Sequence, residues 1–277
     1  VSGSLHANLT RRVALAGMAV LALPAAAKAL DHSHAAWSRL LNKHVVLVRG
    51  GQASRLHYAG MASDRVALRA YLATLSAVEA QAFAGFSKLQ QMAFLINAYN
   101  ASTVELVLGR YPGLASIQEL GSFLSSPWKK AFAPLLGRTR SLDDIEHGML
   151  RAPGLYDDPR IHFAVNCASV GCPPLREEAF TADRLDAQLD EQATRFLADR
   201  ERNRWNTENQ RLEVSRIFDW YGDDFRAGHR DIGSLEAFFA AYADALADAP
   251  AGRERIRAEK ATLAFLPYDW ALNDATP

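Results

Sequence analysis

The 277 residues are 49% hydrophobic and 22% charged, enough apolar material for a full core and too much for a disordered chain. Lys+Arg and Asp+Glu balance at 31 each, which excludes the basic field of a nucleic-acid binder. The two cysteines are too few for a disulfide-built scaffold.

Residues 1–29 are expected to be an export signal. Arg11 and Arg12 supply the positive end, Val13 to Leu23 is an apolar run short for a membrane span, and Pro24 breaks it. Ala27-Lys28-Ala29 fits a small-x-small cleavage site, which would start the mature chain near Leu30. Thr10 to Leu15 reads either as a twin-arginine signal or as an ordinary secretory one. The expected location is periplasmic or secreted. Without Arg11, Arg12 and Lys28 the remainder holds 28 basic and 31 acidic side chains, a net charge of −3. It has no further apolar run of membrane length, so the mature chain is expected to carry no membrane span.

Residues 30–277 read as one globular domain. Asp31 or Ser33 caps a helix through Leu41, and Val45 to Val48 is a strand stopped by Gly50-Gly51. Ser63-Asp64 opens a helix through Leu75, and Ser76 with Glu79 has the capping-box spacing for a short one. Ser87 begins the strongest helix, 87–108, apolar on nearly every face and therefore central and buried. Asn97 and Asn100 lie inside it, and buried amides need partners. They are read either as ties to neighbouring loops or as site residues, Asn97 binding substrate and Asn100 orienting a catalytic base.

Residues 120–136, with Phe123, Pro127, Trp128, Phe132 and Pro134, read as a covering loop and a strand. Ser141 caps a helix over Leu142 to Arg151. The alternation Ile161, Phe163, Val165 predicts a buried strand running into Cys167, and Gly171, Pro173 and Pro174 break the chain after it. Thr181 caps an exposed amphipathic helix to about Arg202. Arg211 to Phe218 alternates as a strand, a short turn or helix carries Trp220, Tyr221, Asp224 and Phe225, and Ser234 caps a helix to about Ala247. Thr262 to Leu266 is a last strand before Pro267-Tyr268-Asp269-Trp270. The fold class is α+β: a mainly helical single domain with a small sheet around the buried helix 87–108.

Five stretches together resemble the domain of unknown function 547 family: Phe94 to Asn100, Leu142 to Arg151, Asp158 to Arg176, Ser215 to Phe225 and Leu266 to Asn273. They follow the family's order and cover about residues 85–275. Leu95 stands where the family usually has Trp, an exchange of one large apolar group for another. The resemblance implies no assigned activity. Some members look to lack the second cysteine, which makes Cys167 the more important thiol of the two.

Three chemistries suit the residues around Cys167. A thiol nucleophile would use Cys167, with His162 or His147 as base and Asp269, Asp143 or Asn100 as orienter, for acyl transfer or hydrolysis. Strand period would place Cys167 on the core face with Ile161, so this needs the strand to end near Val165. A Cys167–Cys172 disulfide is the structural alternative, worth about 2 kcal/mol for so short a loop. A metal held by His162, Cys167, Cys172 and His147 lacks the tight ligand pairs of zinc sites, so no metal and no cofactor are expected.

Carboxylates and aromatics form a second layer. Asp143 and Asp144 suit a helix start, and Glu146-His147 in mid-helix fits a solvated face or a site. Arg160 is a surface ion pair or a fork for an anionic substrate group. Trp220 and Tyr268 belong to the core or contact substrate. The competing functions are therefore a thiol-dependent acyl transferase or hydrolase and a non-enzymatic periplasmic binding or scaffold module, with a small molecule or peptide as the expected partner.

Overall fold

The structure is a computed structural model and describes residues 1, 3, 30–121 and 126–275. The export-signal expectation, apart from Val1 and Gly3, lies outside the described residues, as does Phe123.

Helix α1 (Ala35–His44) buries Trp37, Leu40, Leu41 and His44. His34, not Asp31 or Ser33, is its N-cap, because the Asp31 side chain is turned back on Ser33. Strands β1 (Val45–Val48) and β2 (Ala53–Leu56) pair antiparallel across Gly50 and Gly51, whose φ values of 66° and 90° suit glycine. Helix α2 (Tyr58–Ser63) precedes α3 (Arg65–Ser76), which buries Leu68, Tyr71 and Leu75 at helical spacing. Helix α4 (Ala80–Ala84) starts from Glu79 without a side-chain cap, so the expected Ser76 capping box does not form; Ser76 is the last residue of α3.

Helix α5 (Lys88–Leu108) is the predicted centre. Ser87 Oγ accepts from Gln90 N at 3.2 Å and Gln90 Oε1 accepts from Ser87 N at 2.9 Å, a complete capping box. Every residue from Met92 to Val104 is buried. Strands β3 (Ala133–Leu135) and β4 (Arg138–Arg140) form a second hairpin. Ser141 and Asp144 build another capping box at α6 (Leu142–Ile145), as the sequence indicates. The helix then widens into a π segment, Glu146–Leu150, closed by Arg151 N donating to Glu146 O at 2.9 Å.

The predicted strand before Cys167 is a 3₁₀ helix, Pro159–Phe163. Pro159 occupies its first turn and Asp158 Oδ1 accepts from Arg160 N at 3.0 Å, so proline and an N-cap outweigh the apolar alternation. All five residues are buried, so there is no in-and-out face to alternate.

Helix α7 (Leu185–Leu197) starts after Arg184 rather than at Thr181 and buries Gln188 and Gln192 with its apolar face. Strands β5 (Arg204–Asn206), β6 (Arg211–Ser215) and β7 (Thr262–Leu266) form a sheet in that order, β5 antiparallel and β7 parallel to β6. The β6 strand stops at Ser215, and the residues expected to continue it turn into α8 (Ile217–Trp220). Ser234 caps α9 (Leu235–Ala241), which breaks before α10 (Ala243–Leu246); α11 (Pro250–Arg257) was not anticipated. The class is α+β, and no helix of the described residues is long and apolar enough to cross a membrane.

Two apolar clusters make the core. One gathers around α1, α3, α5 and α6; the other is phenylalanine-rich and joins α7, α9 and β6. The 3₁₀ segment is their seam. Ile161, Ala164 and Val165 enter the first cluster, while Phe163 packs in the second, 5.4 Å from Phe196 and 5.8 Å from Phe225 between ring centroids.

Candidate functional site

A cavity of about 280 Å³ opens along this seam. Its lining comes from the π segment (Glu146, His147), α5 (Tyr99), the 3₁₀ segment (His162), the cysteine loop (Cys167, Cys172), α8 with its exit (Trp220, Tyr221) and the 268–270 segment (Tyr268, Trp270). Asp143 and Trp128 complete one side.

Local chemistry fixes the cysteine loop. Cys167 and Cys172 are joined by a disulfide, with Cα atoms 6.2 Å apart, and neither cysteine is free. Ser169 Oγ is 2.9 Å from Cys167 Sγ, and the Tyr268 hydroxyl lies 3.3 Å from Cys167 Sγ and 3.2 Å from Cys172 Sγ. The 268–273 segment clamps the loop: Val170 N donates to Ala271 O and Gly171 N to Asp269 O, both at 2.8 Å. A Cβ at Gly171 would come within 2.9 Å of the Tyr268 ring, so this close approach requires glycine. Arg202, buried beside Asp199, donates to the Cys172 carbonyl and to Gln52 O.

The buried asparagines hold the same loop from the other side. Asn100 Nδ2 donates to Ala164 O at 2.9 Å and its Oδ1 accepts from Asn166 N at 2.8 Å. Asn97 does the same for Phe180, at 2.8 Å to the carbonyl and 3.0 Å from the N–H. Each amide thus serves an irregular stretch as a strand neighbour would. Neither lines the cavity.

Apart from Asp143, the histidines are engaged by groups the sequence did not single out as their partners. His162, 3% exposed, meets Asp224 Oδ2 through Nε2 at 2.7 Å and stacks on Tyr221 with centroids 4.0 Å apart. Its Nδ1 has no hydrogen-bond partner among the described residues. Arg151 donates to both oxygens of Asp224, at 2.6 and 3.0 Å. Burial works against the Asp224 charge, but the bonds from His162 and Arg151 prevail and hold its carboxyl well below the usual range. The same Arg151 approaches His147 Nδ1 at 2.5 Å, which leaves Nε2 for other contacts. That nitrogen is 3.6 Å from Asp143 Oδ1.

Glu146 differs from every other buried acid described here. It is 6% exposed, lines the cavity, and has no ion pair among the described residues. Burial, then the charge of Glu146, pushes the phenols of Tyr99 and Tyr221 well above their ordinary value.

Of the residues singled out in the sequence, the cavity therefore brings together Cys167, Cys172, His162, His147, Asp143, Glu146, Trp220 and Tyr268. Asp269 is exposed and accepts from Ala271 N; the carboxylate that meets His162 is instead Asp224, whose place in the Ser215 to Phe225 stretch was its sequence signal. Arg160 lies elsewhere, buried among Asp158, Asp186 and Asp190 at 2.7 to 2.8 Å, which leaves no free fork for a substrate. Among the described residues no group of three or more His, Cys, Asp or Glu is placed to hold a metal ion.

No curated protein and no solved structure matches the chain. A family model described as a protein of unknown function, DUF547, matches residues 83–197. That stretch holds α5, the π segment, the 3₁₀ segment and the disulfide loop, and ends before the last two of the five sequence motifs. Over these residues, which carry most of the cavity's polar groups, the chain resembles the DUF547 family.

Proposed function

We propose that the protein is an exported, non-catalytic binding module that holds a small molecule or a peptide side chain in the seam cavity, with the Cys167–Cys172 disulfide bracing its wall. The observation that carries this reading is the joined cysteine pair on that wall, with no thiol left for nucleophilic chemistry. Disulfides persist in oxidising compartments, which supports the export expectation. A pre-formed concave pocket between two packed clusters, mostly apolar with a few polar groups, is the usual form of a ligand site.

A second reading, thiol-dependent acyl transfer or hydrolysis by the reduced chain, is favoured by one observation. The Asp224–His162 pair faces the same cavity as Cys167, the arrangement of an orienter and a base. In that reading Cys167 Sγ attacks an acyl carbon as His162 takes the thiol proton. The bond to the leaving group breaks as the leaving group takes that proton, and water or an acceptor nucleophile then cleaves the thioester and returns the thiol.

Thiol titration of the native protein separates the two. The binding reading expects no titratable thiol before reduction. A stoichiometric free thiol, with a burst of p-nitrophenol from p-nitrophenyl acetate and an acetyl group on Cys167, would replace it with the second.

A further inference from the structure

We infer that the cavity selects an organic ammonium group, carried by a small molecule or a lysine side chain, with Glu146 as its counter-ion; this rests on the binding reading above. Three observations lead there. First, Glu146 is more than nine-tenths buried, lines the cavity, and lacks an ion-pair partner among the described residues. A buried carboxylate is costly unless paired, and the phenols near it, Tyr99 and Tyr221, carry no positive charge.

Second, the surrounding charges leave the place of a cation open. No lysine or arginine lines the cavity among the described residues. Arg151, the nearby guanidinium, is bound by both oxygens of Asp224 and lies over Tyr221, its Cζ 4.8 Å from the ring centroid. Asp143 adds a second carboxylate to the lining, and its one ion-pair contact among the described residues is His147 Nε2 at 3.6 Å.

Third, the mouth is aromatic. Trp220, Tyr268 and Trp270 are mutually packed with centroids 4.5 to 5.7 Å apart, and Trp128 meets Trp270 edge-on at 5.7 Å. Trp220 remains 43% exposed, unusual for a tryptophan whose only task is packing. Indole and phenol faces carry negative quadrupoles that attract ammonium groups and do nothing for anions. An acidic floor and an aromatic mouth therefore favour one ligand charge.

The test is calorimetric titration of the oxidised protein with choline, with Nα-acetyl-lysine amide, and with 3,3-dimethylbutan-1-ol, the neutral carbon counterpart of choline. Binding of either ammonium, at least about tenfold tighter than the alcohol, is expected. The preferred ammonium identifies the source, free or peptide-borne. Glu146→Gln should lose about tenfold for the ammonium and leave the alcohol unchanged. Trp220→Leu, at an exposed position that folding tolerates, should lose severalfold for the ammonium. Equal binding of alcohol and choline, or unchanged ammonium affinity in Glu146→Gln, overturns the charge selection while the cavity remains a binding site. No ammonium binding also overturns it. In that case, titration with neutral sugars and amides decides separately whether the binding reading stands.

Discussion

Two polar regions flank the 3₁₀ segment, and they treat charge in opposite ways. On one side Arg160, 4% exposed, is surrounded by Asp158, Asp186 and Asp190, with Arg230 bridging the outer two. On the other, Glu146 sits at similar depth with no basic partner among the described residues and opens onto a cavity. A charge surrounded by its complement holds the fold together. A charge buried without a complement adds nothing to that, and it is the one on which the proposed ammonium selection rests.

The comparison breaks most readily at Arg160. Arg160→Met should destabilise by about 3–5 kcal/mol in urea denaturation, because Asp158 is left buried with only His229 Nε2, 3.5 Å away, beside it. A loss below about 1 kcal/mol would reduce the cluster to a surface ornament. Its acid limb sharpens the point. Arg160 bonds to Asp186 and Asp190 outweigh burial at Asp190, and lower both carboxyls in the fold. Their folded pKa lies below the unfolded one, so the contribution is present above the ordinary carboxylate value and is lost as pH falls through the lowered one. That acid-induced loss should flatten in Arg160→Met.

Replacing both cysteines by serine should cost about 2 kcal/mol, read by the same denaturation, since the closed loop is short. A similar effect comes from a buried group outside both regions. Burial lowers the pKa of His34 to about 4, its Nδ1 2.8 Å from the Tyr71 hydroxyl and its Nε2 unpartnered. The unfolded imidazole binds a proton first, so stability is full above its ordinary pKa and falls by about 2 kcal/mol between pH 7 and pH 5. His34→Gln should remove that slope from the stability profile.

The smallest effect is the most discriminating. Glu146→Gln removes a buried charge without removing a partner, so it should leave stability unchanged or raise it by up to about 1 kcal/mol. A loss of more than about 2 kcal/mol in thermal unfolding would show that Glu146 is as structural as Arg160.

Much of this architecture is written locally. Ser87 with Gln90 and Ser141 with Asp144 place two helix starts, because a cap needs only residues three apart. The unbroken apolar run after Ser87 makes α5 central, and the β1 and β7 strands follow from short apolar stretches. The cysteine stretch, Tyr268 and Trp220 were picked out as chemical candidates from residue type and spacing, and all of them line the cavity.

What the sequence could not decide depends on partners far along the chain. Ile161, Phe163 and Val165 alternate like a strand, yet Pro159 and the Asp158 cap turn them into a 3₁₀ helix that divides its side chains between two cores. Arg160 looks available until Asp186 and Asp190 arrive from α7. His162 finds Asp224, 62 residues away, rather than Asp269. Composition and spacing determine which residues are chemical; only packing decides which charges meet a complement and which, like Glu146, are left facing a cavity.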